Sequence, residues 1–262
     1  MTKISAGSYD LNKWLHGGWE NDVISCIYGA SGSGKTNFCL LAAVSQAKKG
    51  NKVIFMDTEG GFSVERVKQL VGDEDGYDIV LKNIMVLKPT SFAEQKKDFD
   101  SLLEYVDKQV SLIVIDGMTI LYRLEFAAAR DKNKDNSDDS LANSSELSNG
   151  QFSKKHVTAK RIFHDGDMGK INSELVRQLR TLAEISRKKE IPVLVTNQIY
   201  NWDNESKMVG GDILKYWSKC HVELANNKGT RVAYLRKHRS LPEKEMEFVI
   251  SNSGVKKKGF LL

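Results

Sequence analysis

The chain has 262 residues, 40% hydrophobic and 28% charged, a balance that supplies enough apolar material for a self-sufficient core and excludes disorder of the whole chain. Its 39 Lys and Arg against 34 Asp and Glu leave a formal charge of +5, which permits a polyanionic partner without demanding one. The three cysteines, Cys26, Cys39 and Cys220, are too scattered for a disulfide framework or a metal knuckle. The start of the chain lacks a signal-peptide pattern, and no apolar run approaches the roughly 20 residues of a membrane span. The expectation is a soluble cytoplasmic protein with no membrane partner.

In chain order, Val23 to Tyr28 is a short apolar run ending in glycine, and Lys35 to Lys49 carries Phe38, Leu41 and Ala42 at helical spacing. Lys52 to Met56 reads as a strand closed by Asp57. Ser91 to Val110 reads as a helix with Phe92, Phe99, Leu102, Leu103 and Val106 on one side, and Leu112 to Ile115 as an apolar strand ending at Asp116. Strands apolar on both faces that alternate with helices imply a mostly parallel, twisted sheet covered on both sides, an α/β fold. From Arg130 to Gln151 the composition turns to Asp, Asn, Lys and Ser, with almost nothing to bury, so a mobile insertion is expected over about 127 to 167. Regular structure is expected to resume at Met168, in a helix marked by Ile171, Leu175, Leu179, Leu182 and Ile185. The strand Pro192 to Thr196 follows. Three further strands, His221 to Leu224, Arg231 to Leu235 and Met246 to Ile250, predict a β-rich C-terminal extension of the same sheet. The whole reads as one domain over residues 1–262.

Gly29-Ala30-Ser31-Gly32-Ser33-Gly34-Lys35-Thr36 matches the P-loop pattern, and it sits where that pattern has meaning, directly after a strand and opening a helix. A phosphate chain needs converging backbone N–H groups with no side chain in the way, hence the glycines, and the positive end of the following helix adds a favourable field. Lys35 is placed to neutralise β- and γ-phosphate oxygens and the Thr36 hydroxyl to ligate Mg2+, which makes ATP the expected nucleotide. Asp116, at the tip of an apolar strand beside this loop, is the natural second magnesium ligand; a solvated strand-end acid is the plainer alternative. Glu59, in Asp57-Thr58-Glu59-Gly60-Gly61, lies at the same sheet edge, where a carboxylate can take a proton from a water attacking the γ-phosphate or can serve only as a loop acid. Asn197-Gln198 ends the next strand, where an amide can both accept from water and donate to phosphate.

Taken together, Val23 to Thr36, the box Met56-Asp57-Thr58-Glu59-Gly60-Gly61-Phe62, Ile115-Asp116 followed by Leu121-Tyr122-Arg123, Val195-Thr196-Asn197-Gln198, Gly210-Gly211-Asp212 and Leu241-Pro242-Glu243 occur in the order of the RecA-type recombinase core. The chain resembles the archaeal RadB branch in particular, across nearly everything except the insertion. The resemblance implies a RecA-like ATPase core serving homologous recombination and DNA repair, with Glu59 as the water-activating base and Gln198 as the γ-phosphate sensor linking nucleotide to DNA. It implies that Arg66 packs on the adenine face, where a solvated helix residue is the alternative. It implies also that Lys237 and Arg239, two apart at a strand end and so pointing the same way, reach a neighbour's γ-phosphate in a homo-oligomer. Arg236 and His238 face the other side and are the rival pair, and a plain solvated basic strand end is the third reading.

The implied partners are DNA, single-stranded and bound without sequence preference, and a recombinase of the same family or a nuclease. Candidate DNA contacts are Lys154, Lys155, Lys160 and Arg161 in the insertion, Tyr200, Trp202 and Lys207 after the amide sensor, and Lys256-Lys257-Lys258 in the tail. The segment between Gln198 and Gly210 is shorter than the second DNA-binding loop of strand-exchanging relatives, which argues against strand exchange; the accessory character of the branch, and trans cations that need a neighbour, imply weak hydrolysis. A nucleotide-gated interaction module, in which hydrolysis and DNA contact are incidental, is the alternative function.

Overall fold

A computed structural model of the chain describes residues 2–72, 74–142, 154–202, 205–209, 211–227 and 229–259. The first half runs β1 (Lys3–Ile4), α1 (Tyr9–Trp14), β2 (Trp19–Glu20), β3 (Ile24–Gly29), α2 (Lys35–Ala47), β4 (Lys52–Asp57), α3 (Val64–Val71), α4 (Glu74–Lys82), β5 (Ile84–Leu87), α5 (Phe92–Tyr105) and β6 (Val110–Asp116). The second half runs α6 (Ile120–Ala142), α7 (Lys154–Lys189), β7 (Val193–Trp202), β8 (Glu205–Met208), α8 (Gly211–Trp217), β9 (Cys220–Asn227), β10 (Thr230–Lys237), β11 (Lys244–Ser251) and β12 (Gly254–Lys257).

The large sheet has the order β12-β11-β10-β9-β3-β7-β6-β4-β5, with β8 folded back on β7. From β9 to β5 every pairing is parallel, and β9 to β12 form an antiparallel meander. The strands alternate between two cores, as a strand's period of two requires. Ile27, Val53, Phe55, Leu112, Val114, Leu194, Val222 and Leu224 pack with α1 and α2 on one face. Ile24, Cys26, Ile54, Met56, Ile113, Ile115, Val193 and Val195 pack with residues of α5, α7 and α8 on the other. All three cysteines are buried and free, as expected.

The helix starts are written locally. Ser8, Ser63 and Ser91 cap α1, α3 and α5, each accepting the amide of the residue three positions on, and Glu94 reaches back to Thr90 N at 2.7 Å. Helix α5 stops at Tyr105, short of the predicted Val110, because the Asp107 carboxylate accepts from Gln109 N at 2.8 Å and turns the chain into β6. The polar segment differs from the expected irregular insertion: helix α6 continues to Ala142 and helix α7 begins at Lys154, well before Met168, with residues 143–153 outside those described. A fourth C-terminal strand, β12, extends the three that were predicted. Among the described residues no helix is long and apolar enough to cross a membrane.

At the start of β9, His221 is buried with Nε2 2.6 Å from Ser218 Oγ, and burial, with Lys237, Lys215 and Lys219 adding positive charge, pushes its pKa down to about 4. In the unfolded chain the imidazole protonates near 6.5. The unfolded state therefore binds more protons between these values, so this contribution to stability is complete above about pH 6.5 and declines as pH falls toward 4. Chemical denaturation across that window should show wild type losing up to about 1.4 kcal/mol per pH unit more steeply than His221→Gln; parallel curves would show that His221 is not held neutral.

Candidate nucleotide site

Register brings the site together. Gly29, ending β3, is opposite Gln198 of β7, and Asp57, ending β4, is opposite Asp116 of β6, so four functional strand ends share one edge of the sheet. This edge is the carboxyl side of the parallel strands. It is also where strand order reverses around β3, a crevice open α/β sheets use for ligands.

The glycine turn delivers the chain into α2 without a side-chain cap. Gly34 is the N-cap at φ 110°, a left-handed conformation suited to glycine, and a Cβ there would come within 3.0 Å of Ile250 Cδ1. The first-turn amides of α2 therefore lack the serine that satisfies those of α1, α3 and α5, and they face a cleft of about 480 Å³. Ser31, Gly32, Gly34, Lys35, Thr36 and Asn37 of the loop and first turn line the cleft, together with Glu59, Arg231 and Ile250. Lys35 donates to the carbonyls of Gly29 and Ala30 at 3.1 and 3.0 Å; its burial lowers its pKa, against the pull of Glu59 and Asp116.

Asp116 is buried and holds one oxygen fixed. Its Oδ1 accepts from Thr196 Oγ1 at 2.6 Å, and the same hydroxyl accepts from Gly117 N at 2.7 Å. Its Oδ2 is buried with no hydrogen-bond partner. Desolvation raises the pKa of Asp116, the neighbouring acids Glu59 and Asp57 add to the rise, and the hydroxyls of Thr196 and Thr36 oppose it. A Cβ on Gly61 would lie 3.3 Å from Thr36 Oγ1 and 3.5 Å from Asp116 Oδ2, so hydroxyl and orphaned carboxylate oxygen flank one point. A hard divalent cation takes oxygen donors of this kind, and the pair fits Mg2+.

Glu59 stands on a loop braced at both ends. The Asp57 carboxylate accepts from Gly61 N at 3.0 Å and Phe62 N at 2.9 Å, while Thr58 Oγ1 donates to the carbonyls of Asp116 and Gly117 at 3.0 and 2.8 Å. Gly117, at φ 96°, keeps the loop close, since a Cβ would approach Thr58 Oγ1 to 2.3 Å. Gln198 Nε2 then donates to Glu59 Oε2 at 3.0 Å. Asn197 is buried; it accepts from Thr119 and donates to Val209 O at 2.7 Å, while Gln198 lines a recess beside the cleft together with Glu59 and Gly117. Asp57, Thr58, Gly117 and Thr196 thus position the reactive groups, roles that a reading by motif leaves unassigned.

Arg66 borders the same region. Its Nε donates to Asn37 Oδ1 at 2.8 Å and Nη2 to Ser251 O at 2.8 Å, which ties α3 to the β11–β12 turn, and burial lowers its pKa. Lys237 and Arg239 do not point together. Strand β10 ends at Lys237, so the two-residue alternation stops before Arg239. Lys237 Nζ donates to the carbonyls of Lys215 and Ser218, both at 3.0 Å, whereas Arg239 is bonded to Glu20 at 2.7 Å and Asp22 at 2.8 Å. In the rival pair, Arg236 bonds Glu223 at 2.6 Å and His238 is buried near Glu20. Tyr200 and Trp202 lie on β7 and Lys207 on β8, in a hairpin pairing Ile199 with Met208 and Trp202 with Glu205. Lys154, Lys155, Lys160 and Arg161 fall in the first turns of α7, and Lys256 and Lys257 are exposed on β12, followed by exposed Lys258.

The brace on Glu59 is directly testable. Asp57→Asn replaces an acceptor oxygen by a donor amide, so hydrogen exchange at the Gly61 and Phe62 amides should accelerate about tenfold or more while amides of β6 keep their protection. Unchanged exchange at both amides would show that the carboxylate does not hold the loop.

Comparison with known proteins identifies the family. The Rad51 family model matches residues 1–147 and 158–258. A DNA repair and recombination protein RadB from Methanobrevibacter smithii is 34% identical over 256 residues, covering 94% of this chain and 92% of that protein. The RadB of Methanocaldococcus jannaschii is 33% identical over 245 residues, covering 94% and 98%. A crystal structure of the RadB recombinase superposes with a TM-score of 0.70 at 29% identity, covering 98% of this chain and all of that one. With the P-loop, both acids and the amide at one sheet edge, the chain belongs to the Rad51 family of RecA-type proteins, within its RadB branch.

Proposed function

We propose that the chain is a single ATPase domain over residues 1–262 that binds ATP with Mg2+ at the P-loop and hydrolyses it weakly. In this reading it acts in DNA repair and recombination, on single-stranded DNA and beside a full recombinase of its family. One observation carries the reading: the Gln198 amide rests at 3.0 Å on the carboxylate of Glu59, which lines both the P-loop cleft and the recess that holds Gln198. That contact joins a group able to take a proton from water to a group able to sense phosphate, and Gln198 leads directly into the β7–β8 hairpin.

In the mechanism, the uncapped amides of α2 and Lys35 hold the phosphate chain, and Thr36 and Asp116 are the chain's own ligands for magnesium. When bound, the ion neutralises charge on the phosphate oxygens. Glu59 orients the attacking water in line with the γ-phosphate and accepts its proton; Gln198 holds Glu59 in place and donates to the transferred group as its charge redistributes. Hydrolysis is slow because the cations that would assist from a neighbouring copy, Lys237 and Arg239, are committed to carbonyls and carboxylates of their own chain. The same commitment supports an accessory role over strand exchange. DNA contact would come from the hairpin, the start of α7 and the β12 lysines.

Changing Glu59→Gln should leave ATP affinity within a few-fold and reduce turnover on the order of 100-fold, the scale of a lost general base. Measuring binding by calorimetry and phosphate release separately distinguishes the outcomes: undiminished turnover rules out Glu59 as the base, and loss of both signals a disrupted cleft. For the DNA partner, the logarithm of affinity for an unlabelled-sequence single strand should fall linearly with the logarithm of salt, with a slope of about 0.7 per phosphate neutralised. A salt-independent affinity would exclude a backbone-tracking contact.

A further inference from the structure

Strand β10 places its side chains alternately, and on one face the row reads Leu235, Ala233, Arg231. The first two are buried in the core beneath α2, Leu235 at 1% and Ala233 at 0% exposure. The third position of the row therefore falls at the edge of that core, and it is an arginine. Arg231 lies opposite Phe248 of β11, and Phe248 is among the nearest atoms a Cβ on Gly34 would meet, at 3.8 Å. The side chain accordingly borders the phosphate-loop cleft beside the turn that opens α2.

Its electrostatic position has no internal justification. Arg231 Nε is buried with no hydrogen-bond partner, and no carboxylate pairs with its guanidinium among the described residues. The other arginines bordering the cleft or ending the meander, Arg66, Arg236 and Arg239, all have partners. The same cleft is lined by a second cation, Lys35, by the start of α2 with its uncapped amides, and by the acid Glu59. A cation at a helix N-terminus opposes the helix field, and an unpaired buried donor costs free energy of its own. Lys35 has the pull of Glu59 and Asp116, but the buried Nε of Arg231 and the open amides of α2 have no such partner, and a polyanion in the cleft would supply one to both.

We propose that Arg231 is a binding residue for the nucleotide's phosphate chain, contacting the α- and β-phosphates from the flank of the cleft beside Gly34. This inference rests on the reading of the cleft as an ATP site, and adds to it a cation that no motif marks. The placement beside Gly34, where the loop amides converge, assigns Arg231 to the phosphates that a triphosphate and a diphosphate share, away from the Glu59 and Gln198 end. Its planar fork of donors suits two phosphate oxygens at once.

The test uses equilibrium binding of ATP and ADP to the full chain, with Arg231→Gln and Arg231→Lys beside wild type, and melting without nucleotide as the check on folding. Arg231→Gln should weaken ATP and ADP alike by about 10- to 100-fold, while the nucleotide-free protein melts no lower than wild type, because a like charge has been removed. Arg231→Lys, which keeps the charge and loses the fork, should fall between. Wild-type affinity for both nucleotides in Arg231→Gln would overturn the inference and leave the ATP site standing. A wild-type protein that binds neither nucleotide would overturn both. Weakening confined to ATP would overturn the assignment to the shared phosphates, and a lower melting temperature with equal affinity in Arg231→Lys would make Arg231 a structural residue.

Discussion

The bare first turn of α2 is the constraint around which the site is arranged. Every helix begins with amides that have no partner within the helix, and in α1, α3 and α5 a serine supplies one. Helix α2 begins instead at a glycine in a left-handed conformation, so its amides stay open to the cleft at the end of the central strand. Only an acceptor-rich ligand satisfies several such donors together, and each surrounding group takes its meaning from that ligand. Lys35 supplies charge, Asp116 an oriented oxygen beside Thr36, and Glu59 a carboxylate held by its own loop.

The chemistry is spread over four strand ends, and the parallel register keeps them aligned. Because Gly29 faces Gln198 and Asp57 faces Asp116, a shift of one residue would turn the amide of the first pairing or an acid of the second to the opposite face of the sheet. The two apolar cores guard against that shift, since the same slip would exchange every side chain between them. Stability of the fold and precision of the site are therefore one property here. Thr196 shows the link at the scale of a single hydroxyl, which donates to Asp116 and accepts from the Gly117 amide.

What the sequence reveals follows from how local each signal is. The P-loop, the apolar strands and the acids Glu59 and Asp116 are legible because spacing and strand ends are local, and the family resemblance carries Gln198 to the same edge. The brace by Asp57 is hidden, since a strand-end aspartate looks the same whether it is solvated or accepts two amides of the next turn. Arg231 is hidden for another reason: alternation in β10 does not say which row meets α2, and only the register against β11 does. The pairing of Arg239 with Glu20 and Asp22 joins the two ends of the chain, beyond any local pattern. Composition also misleads over α6 and α7, where polar residues read as irregular because a helix can be polar along much of its length.

The antiparallel meander has a consequence for how the molecule divides. Strands β10 and β11 contribute Arg231 and Ile250 to the cleft, and Ser251 at the end of β11 supplies the carbonyl that anchors Arg66. A fragment ending near Ser240 would retain the glycine loop, Thr36, Asp116 and Glu59, and so would look sufficient by inventory. It would nevertheless lack Ile250 and the Arg66 anchor, leaving the cleft open on that flank. The last quarter of the chain is thus a wall of the pocket, and the smallest working unit is larger than the stretch that carries the recognisable boxes.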